Sequence, residues 1–205
     1  MPTQTNDDLP ATRTGTQTYT IDPGHSKVSF RIAYFGIGHV SGAFHRCAGT
    51  VRMDAAGMDS PDLSTLRVAA QIEADSIDTG NRERDRKLRG ADLFDVKTFP
   101  HLVFESTGAR RVDGNAFELA GDLTVRGITR NVVLGGHFDG SGRDDDGVAW
   151  ADFSAAVTLL RSDYAVRWGD VLEAGGALIG DRVDVVLHVR AVANEIADEV
   201  AQEAG

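Results

Sequence analysis

The sequence predicts an all-β fold, an up-and-down antiparallel barrel of eight strands with a short helical segment near residues 80–94. Apolar and polar residues alternate with a period of two in stretch after stretch, as at Val28, Phe30 and Ile32, which is typical of half-buried strands. Short turn sequences separate these stretches, so consecutive strands should pair antiparallel. Closing such a meander into a barrel leaves no unpaired strand edge.

The candidate strands follow one another along the chain. Residues 1–17 are polar with nothing to bury, so we expect a disordered arm ahead of a barrel domain at residues 18–193. The alternating stretches are, in chain order, "KVSFRIAYF", "HVSGAFHRCAGTVRM", "LRVAAQIEA", "HLVFES", "AFELAGDLTV", "ITRNVVLGGHF", "WADFSAAVTLL" and "RVDVVLHVRA". Residues 194–205 carry four acids and no base, which favours a solvated acidic tail.

Turn sequences and glycines mark where these strands end and bend. Residues typical of turns cluster at 54–61, 113–115, 126–127 and 139–147, which indicates tight connections. Glycines also interrupt the alternation inside strands, and a closed sheet needs bulges or bends of this kind. These glycines are Gly42, Gly49 and Gly121.

One segment breaks the alternation, and its boundaries predict a helix of two to three turns. Thr79 or Asn81 can cap its start, and Gly90 stands where a helix end favours glycine. The apolar side chains that would hold the segment against one end of the barrel are Leu88, Leu93 and Phe94. We therefore expect it to form a lid.

The same segment is basic in a chain whose formal net charge is −10. Five bases stand against two acids between residues 82 and 89. The spacing predicts two i,i+4 ion pairs, Glu83–Lys87 and Asp85–Arg89, worth roughly 0.2–0.5 kcal/mol each, which favours a solvated face. Three arginines lack local acids and leave open a cationic patch for an anionic head group. They are Arg82, Arg84 and Arg86.

Composition narrows the classes of partner and location. The net charge of −10 argues against nucleic acid, because a nucleic-acid binder presents a broad positive face. Cys47 is the single cysteine, so an internal disulfide is excluded. The N-terminal residues lack an apolar signal region, and no apolar run is long enough for a membrane-spanning helix. We expect a cytoplasmic protein without stable membrane insertion.

The sequence contains none of the common motifs for catalysis or metal binding. Its six histidines form no H-x-H or H-E-x-x-H motif and no cluster with the cysteine. It has no G-x-S-x-G elbow and no Walker A sequence. We therefore expect no catalytic residue, no cofactor and no metal.

Five segments carry a family resemblance. They are "YTIDPGHSKVSF", "SIDTGNRERDRKLRGADLFDVKTFPHLVFEST", "GDLTVRGITRNVVL", "RSDYAVRWG" and "LIGDRVDVVLHVRA". In this order, from Tyr19 to about Val192, they resemble the YceI-like family of polyisoprenoid-binding proteins. The chain departs from the family pattern at Lys87, where histidine is usual, and at Ala165, where glycine is usual.

The resemblance implies a lipocalin-like barrel that holds a long apolar chain, such as an isoprenoid diphosphate, an isoprenoid quinone or a fatty amide, with its polar head near one mouth and without catalysis. Carried over by position, the family's motifs fall on Arg84 with Asp85, on Leu123–Gly127, and on Arg161 to Asp163. Together with the basic segment, this makes the following residues head-group candidates: Arg84, Asp85, Arg86, Arg161 and Asp163.

The physical size of such a barrel fits a long-chain ligand. Eight tilted strands of about ten residues give a height of roughly 25 Å, enough for an extended chain of roughly twenty carbons. Ten buried methylenes at about 0.8 kcal/mol each give a gross ~8 kcal/mol. The candidate lining residues are Phe30, Ile32, Phe44, Leu66, Val68, Phe104, Phe117, Leu123 and Phe153.

Three functions remain open at this point. The lining residues could contact a stored or transported lipid, or they could simply pack against one another, because the inward face of any barrel is apolar. An enzyme acting on a lipid-derived substrate at the barrel mouth is a second hypothesis. A filled, stress-associated interaction protein without a ligand is the third, and a homodimer is compatible with each.

Overall fold

The computed structural model describes residues 15–34, 38–55, 61–167 and 179–193. Within these ranges the chain forms eleven strands and one α-helix. They are β1 (Gly15–Ile21), β2 (Lys27–Tyr34), β3 (Gly38–Phe44), β4 (Cys47–Ala55), β5 (Pro61–Glu73), β6 (Ile77–Asp78), α1 (Arg82–Leu88), β7 (His101–Asp113), β8 (Ala116–Val125), β9 (Ile128–Arg143), β10 (Ala149–Leu160) and β11 (Ile179–Ala193).

The strands close into a single antiparallel ring. Pairing runs from β1 through β4, β5, β7, β8, β9, β10 and β11 back to β1. The other three strands add no new position to the ring. β1 and β2 pair with successive parts of β11 and share one position, β3 and β4 share the next, and β5 and β6 share the third. The ring therefore has eight strand positions in chain order, which confirms the predicted eight-stranded up-and-down barrel.

Two adjacent strand positions are interrupted at the same level, and one serine bridges them. β3 and β4 are separated at His45 and Arg46, and β5 and β6 by a 3₁₀ helix at Ala74–Ser76. The hydroxyl oxygen of the buried Ser76 accepts from the backbone N–H groups of His45 and Arg46, each at 3.2 Å. The hydroxyl also donates to the Glu73 carbonyl at 2.6 Å. The bend therefore keeps its backbone donors paired.

The helix begins as the sequence predicts but pairs its charges differently. The Asn81 side chain accepts from the backbone N–H groups of Glu83 and Arg84, at 3.1 and 3.0 Å. The predicted Glu83–Lys87 ion pair forms, with 3.4 Å between Oε1 and Nζ. The predicted Asp85–Arg89 ion pair is wrong, because each of these two side chains bonds to other groups.

Asp85 is buried and is satisfied by Thr79. Its carboxylate accepts from the Thr79 backbone N–H at 3.0 Å and from the Thr79 hydroxyl at 2.6 Å. Arg89, the expected partner, instead donates to the carbonyl oxygens of Asp75 and Ile77 at the end of the interrupted strand. A buried carboxylate needs close donors, and the preceding turn supplies them within the same segment.

The helical segment lies at one end of the barrel. Leu88 and Phe94 belong to two apolar clusters. One cluster contains residues of β8 and of the chain after β10, and the other contains residues of β2 and β3. The Phe94 ring meets Phe44 edge-on, with 5.9 Å between ring centroids. Arg126, in the β8–β9 turn, donates to the carbonyls of Ala91 at 3.1 Å and Ala165 at 2.7 Å. One side chain thus joins three connections at this end.

The opposite end is filled by side chains. Tyr19, Met53 and Leu63 are at most 1% exposed and belong to a large cluster that also contains Phe138. Tyr19 lies opposite Val51 in the β1–β4 ladder, Met53 lies near the end of β4, and Leu63 lies near the start of β5. The barrel therefore has one packed end and one end covered by the helical segment.

Two predicted boundaries differ from the structure, and a third lies outside the described residues. The ladder begins at Gly15 inside the predicted arm, where residues 15–17 pair with residues 53–55, because backbone pairing does not require apolar side chains. The turn expected at 139–147 is shorter, since β9 continues to Arg143 with a bulge opposite Asp152 and Phe153. The predicted tail at 194–205 lies outside the described residues.

Candidate functional site

The barrel encloses an elongated cavity of about 290 Å³. Its wall is almost entirely apolar, and side chains from every strand position of the ring contribute to it. All nine apolar residues predicted from the sequence lie on this wall, namely Phe30, Ile32, Phe44, Leu66, Val68, Phe104, Phe117, Leu123 and Phe153. Their contact with a ligand stays a prediction.

The period-two pattern explains how the wall forms. On β11, Val183, Val185, Leu187 and Val189 all face the cavity because successive side chains of a strand point to opposite faces. This stripe was visible in the sequence as an alternating strand but was not selected as lining. Other wall residues that the sequence pattern did not single out as lining include Val40, Cys47, Thr79, Leu88, Tyr164 and Val166.

Glycines make room for phenylalanine rings along the wall. Phe30 lies opposite Gly42, and Phe117 lies opposite Gly136, in neighbouring strands. A methyl group on Gly42 would come within 2.5 Å of the Phe30 ring, and one on Gly136 would overlap the Phe117 ring. Each ring lies in the space that a side chain at the glycine position would fill. The rings can therefore lie along the wall and need not project across the lumen. The sequence prediction of bends at glycines missed this packing role.

Gly121 repeats the arrangement on β8. A methyl group there would lie 2.5 Å from Cζ of Phe104 and 2.7 Å from the Glu105 carbonyl oxygen. Gly49 differs, because its closest neighbours would be backbone atoms of Ala69 and Ala70. At Gly49 the backbone of β5 comes close to β4, and this contact, not an aromatic ring, leaves no room for a side chain.

Two arginines reach the wall at the helix-covered end, but their guanidinium groups are already engaged. Arg84 donates through Nε to the Thr79 hydroxyl at 2.7 Å and through Nη2 to the Thr79 carbonyl at 2.8 Å. Arg161 donates to the carbonyls of Gly180 and Val166, each at 2.9 Å. The cavity wall consequently shows almost no polar surface despite these two cations.

The other three head-group candidates are not part of the wall. Asp85, a residue of α1, is buried and accepts hydrogen bonds from Thr79. Arg86 and Asp163 are exposed to solvent. The structure thus brings Arg84 and Arg161 to the cavity and leaves Asp85, Arg86 and Asp163 outside it. The sequence alone could not separate them, because all five lie in short segments without strand alternation.

The turn that carries Arg161 is fixed by a carboxylate. Asp181 accepts from the Ser162 backbone N–H at 3.0 Å and from the Ser162 hydroxyl at 2.7 Å. The hydroxyl bond lowers the pKa of Asp181 most, burial opposes it, and the Ser162 N–H and nearby Arg161 lower it further. This pairing holds the 3₁₀ helix Arg161–Tyr164 at the cavity rim.

Tyr164, in the same turn, is 4% exposed and lines the cavity. Its hydroxyl oxygen has no hydrogen-bond partner in the part of the chain that the structure describes. Burial raises the pKa of this phenol, Asp163 raises it further, and Arg130 acts in the opposite direction. The hydroxyl therefore keeps its proton and can act as a donor.

Cys47 also stands on the wall and is half-buried. Burial raises the pKa of its thiol, and the Asp22 carboxylate adds to the increase. A raised thiol pKa makes the thiolate scarce and the residue slow to react.

The described residues also bear on metal and membrane binding. Across the described ranges, no three His, Cys, Asp or Glu side chains come together in a way that could hold a metal ion. The helical parts of those ranges include no segment with the length and apolar character needed to cross a bilayer.

Comparison with known proteins gives consistent matches. The model of the YceI-like domain matches residues 19–191. A UPF0312 protein of Azotobacter vinelandii is 31% identical over 176 residues, which is 85% of this chain and 86% of the relative. A UPF0312 protein of Ectopseudomonas mendocina is 33% identical over 150 residues, covering 72% of this chain and 76% of the relative.

Solved structures share the fold. BcnA of Burkholderia cenocepacia superposes with a TM-score of 0.70 at 24% identity, covering 83% of this chain and 98% of that one. A polyisoprenoid-binding domain from Saccharophagus degradans gives a TM-score of 0.65 at 13% identity, covering 87% of this chain and 99% of that domain. At these identities the likeness concerns the fold alone.

Proposed function

The chain belongs to the YceI-like domain family, and from this premise we propose that it binds an isoprenoid or similar long-chain lipid inside its barrel. In this proposal the protein stores, transports or sequesters the lipid and does not catalyse a reaction. The domain from Saccharophagus degradans, described as polyisoprenoid-binding, supports the choice of ligand class.

The observation that carries the proposal is the continuous apolar wall of the cavity. A filled barrel would show side chains meeting across the lumen, whereas here about 290 Å³ stays open between them. That volume is close to the lower limit of typical ligand cavities. Ten methylenes buried against such a wall contribute a gross ~8 kcal/mol, which is comparable to a micromolar affinity before the ordering costs are subtracted.

Organic extraction tests the proposal directly. Protein purified without detergent should release a long-chain lipid that mass spectrometry identifies in near-stoichiometric amount. Delipidated protein should take up a prenyl alcohol again. Failure of both steps would support the alternative of a ligand-free interaction protein.

Cys47 offers a second test, because it is the single cysteine of the chain and lies on the cavity wall. Bound lipid should slow its alkylation by a maleimide in proportion to occupancy. The matched control is Cys47→Ser combined with Asp145→Cys, which moves the thiol to an exposed turn. Lipid should leave the alkylation rate of the control unchanged; equal slowing in both proteins would place the lipid elsewhere.

No specific observation favours the enzymatic alternative. Its proposed site needed Arg84, Asp85, Arg161 and Asp163 to converge, yet Asp85 is held by Thr79 and Asp163 is exposed. A cytoplasmic location and a homodimer stay predictions, which cell fractionation and light scattering of the purified protein test separately.

A further inference from the structure

The helix α1 turns a basic face to solvent at one end of the barrel. Its exposed residues are Arg82, Glu83, Arg86 and Lys87, which include two pairs one helical turn apart and therefore share one side of the helix. Asp85, between them in sequence, is buried. Three cations and one acid thus form the outer face of α1.

Two of these cations have no partner. Lys87 pairs with Glu83 at 3.4 Å, whereas the side chains of Arg82 and Arg86 make no hydrogen bond or ion pair with any residue that the structure describes. Neither arginine lies on the cavity wall, so neither reaches the head of a lipid held inside. Both are available to an anion outside the barrel.

Two carboxylates near Arg82 leave it unpaired. A polar groove beside the helix is lined by Arg82, Asp75 and Asp78 among others. The Asp75 carboxylate is bonded to Arg46 instead, and the Asp78 carboxylate accepts from the Gly80 N–H at 2.7 Å. The free positive charge of the outer face is therefore not cancelled by a local ion pair.

The two ends of the barrel differ in the sign of their charge. The β9–β10 connection, at the packed end, carries the exposed Asp144, Asp145 and Asp146 beside Arg143. The ends lie roughly 25 Å apart, whereas exposed charges are largely screened beyond about 8 Å at physiological ionic strength. A surface that faces α1 therefore interacts with its cations and little with the formal net charge of −10.

We propose that the outer face of α1 docks the helix-covered end of the barrel onto an anionic lipid bilayer. Leu88 of the same helix lines the cavity, so the cations lie on the element that covers the apolar lumen. Tyr19 and Leu63 fill the other end and leave no such route. A lipid exchanged at a docked end would pass between bilayer and barrel with little exposure to water.

This inference rests on the proposed lipid binding and adds the surface with which the lipid is exchanged. A nucleic acid or an acidic protein would also attract Arg82 and Arg86, but neither could supply a lipid to the lumen. Docking through charge needs no membrane-spanning segment, because the cations contact lipid head groups at the bilayer surface.

Sedimentation of the full chain with vesicles tests the docking. The anionic vesicles contain phosphatidylcholine with about one third phosphatidylglycerol, and the neutral ones contain phosphatidylcholine alone. We expect wild type to bind the anionic vesicles, to lose this binding as salt is raised, and not to bind the neutral ones. Arg82→Gln combined with Arg86→Gln should weaken the binding roughly 25-fold, because each base at an anionic surface contributes about fivefold.

The matched control is Arg52→Gln combined with Arg67→Gln. It removes the same charge from two exposed arginines that lie opposite each other on β4 and β5. The control should bind the anionic vesicles as wild type does. Equal weakening in the two double variants would assign the effect to net charge and overturn the inference. Tighter binding of wild type to a DNA duplex than to the anionic vesicles would overturn it as well.

Lipid uptake separates the docking from the proposed function. Loading with prenyl alcohol is followed by protection of Cys47, on the cavity wall, from alkylation. The variant with Arg82→Gln and Arg86→Gln should load as wild type does when the alcohol is added from ethanol, and more slowly when anionic vesicles supply it. Equal loading rates from the vesicles would show that α1 does not serve lipid exchange. If prenyl alcohol protects Cys47 of wild type by neither route, the proposed lipid binding fails, and sedimentation alone decides the docking.

Discussion

The width of the cavity depends on single atoms at glycine positions. Gly136 is the clearest case, because the three atoms nearest to a methyl group there would all belong to the Phe117 ring. At Gly42 and Gly121 a methyl group would also approach a carbonyl oxygen, at 2.8 and 2.7 Å. A substitution at Gly136 should therefore move a ring rather than a strand.

We expect Gly136→Ala to push the Phe117 ring toward the lumen and to weaken lipid binding. Methyl-branched prenyl chains should lose more affinity than straight chains, because they need greater width, and overpacking should cost about 1–3 kcal/mol of stability. Gly135→Ala is the matched control, since nothing lies within 4 Å of its added methyl. Equal losses of branched-chain affinity in the two variants would contradict this role.

Residues on strands were easier to predict than residues in the connections. The nine wall residues could be predicted because alternation alone decides which side of a strand faces inward. The prediction that Asp85 pairs with Arg89 was wrong, because the turn before the helix brings Thr79 to Asp85, and the sequence does not show the geometry of that turn. Tyr164 was missed because it lies in a 3₁₀ turn without any periodic pattern.

Strand elements are interrupted by contacts distant in sequence. The stretch "HVSGAFHRCAGTVRM" reads as one strand, yet it breaks at His45 and Arg46, whose N–H groups bond to Ser76. Across the break the cavity-facing residues change from Val40 and Phe44 to Cys47 and Val51, so the period-two alternation shifts by one residue there. The serine lies 31 and 30 residues further along the chain. Such a break follows from tertiary pairing and not from local propensity.

We expect Ser76→Ala to destabilise the barrel by about 1–3 kcal/mol, because the Arg46 N–H loses its acceptor and the His45 N–H keeps only the longer contact, at 3.4 Å, to the Ser76 carbonyl. Urea denaturation measures the loss, and hydrogen exchange should quicken at the amides of His45 and Arg46. The control Ser64→Ala removes an exposed serine bonded to Asp62 and should have little effect. Unchanged exchange at the two amides would show that the hydroxyl is dispensable.

The helical lid is fastened from another element by Arg126. Its guanidinium bonds to the carbonyls of Ala91 and Ala165, so it connects the chain after α1 with the chain after β10. We expect Arg126→Ala to speed both lipid release and Cys47 alkylation several-fold, because the lid then opens more often. The melting temperature should change less than these rates.

The matched control for the lid is Arg130→Ala. Arg130 is exposed on β9 and donates only to the carbonyl of its neighbour Thr129. Stopped-flow release of a fluorescent fatty chain compares the two variants with wild type. Identical release rates for Arg126→Ala and Arg130→Ala would mean that lipid does not pass this end of the barrel.

The whole molecule combines a packed end with a hollow end. The sequence predicted the closed barrel because eight alternating stretches joined by short turns allow few other arrangements. It could not predict where the lumen is filled, since alternation shows that a side chain points inward but not whether another meets it there. Leu63, at the packed end, is fully buried, whereas Leu159 lines the cavity and is partly accessible.

This division predicts that stability and lipid binding depend on different ends of the barrel. In delipidated protein, Leu63→Ala should cost about 2–5 kcal/mol, as for a well-packed core leucine, and Leu159→Ala clearly less. Saturating lipid stabilises the folded state by mass action, so its increment measures binding. We expect that increment to survive in Leu63→Ala and to shrink in Leu159→Ala. Urea denaturation of both variants, with and without prenyl alcohol, checks this. If both variants lose the same stability and gain the same stabilisation from lipid, the two ends do not differ.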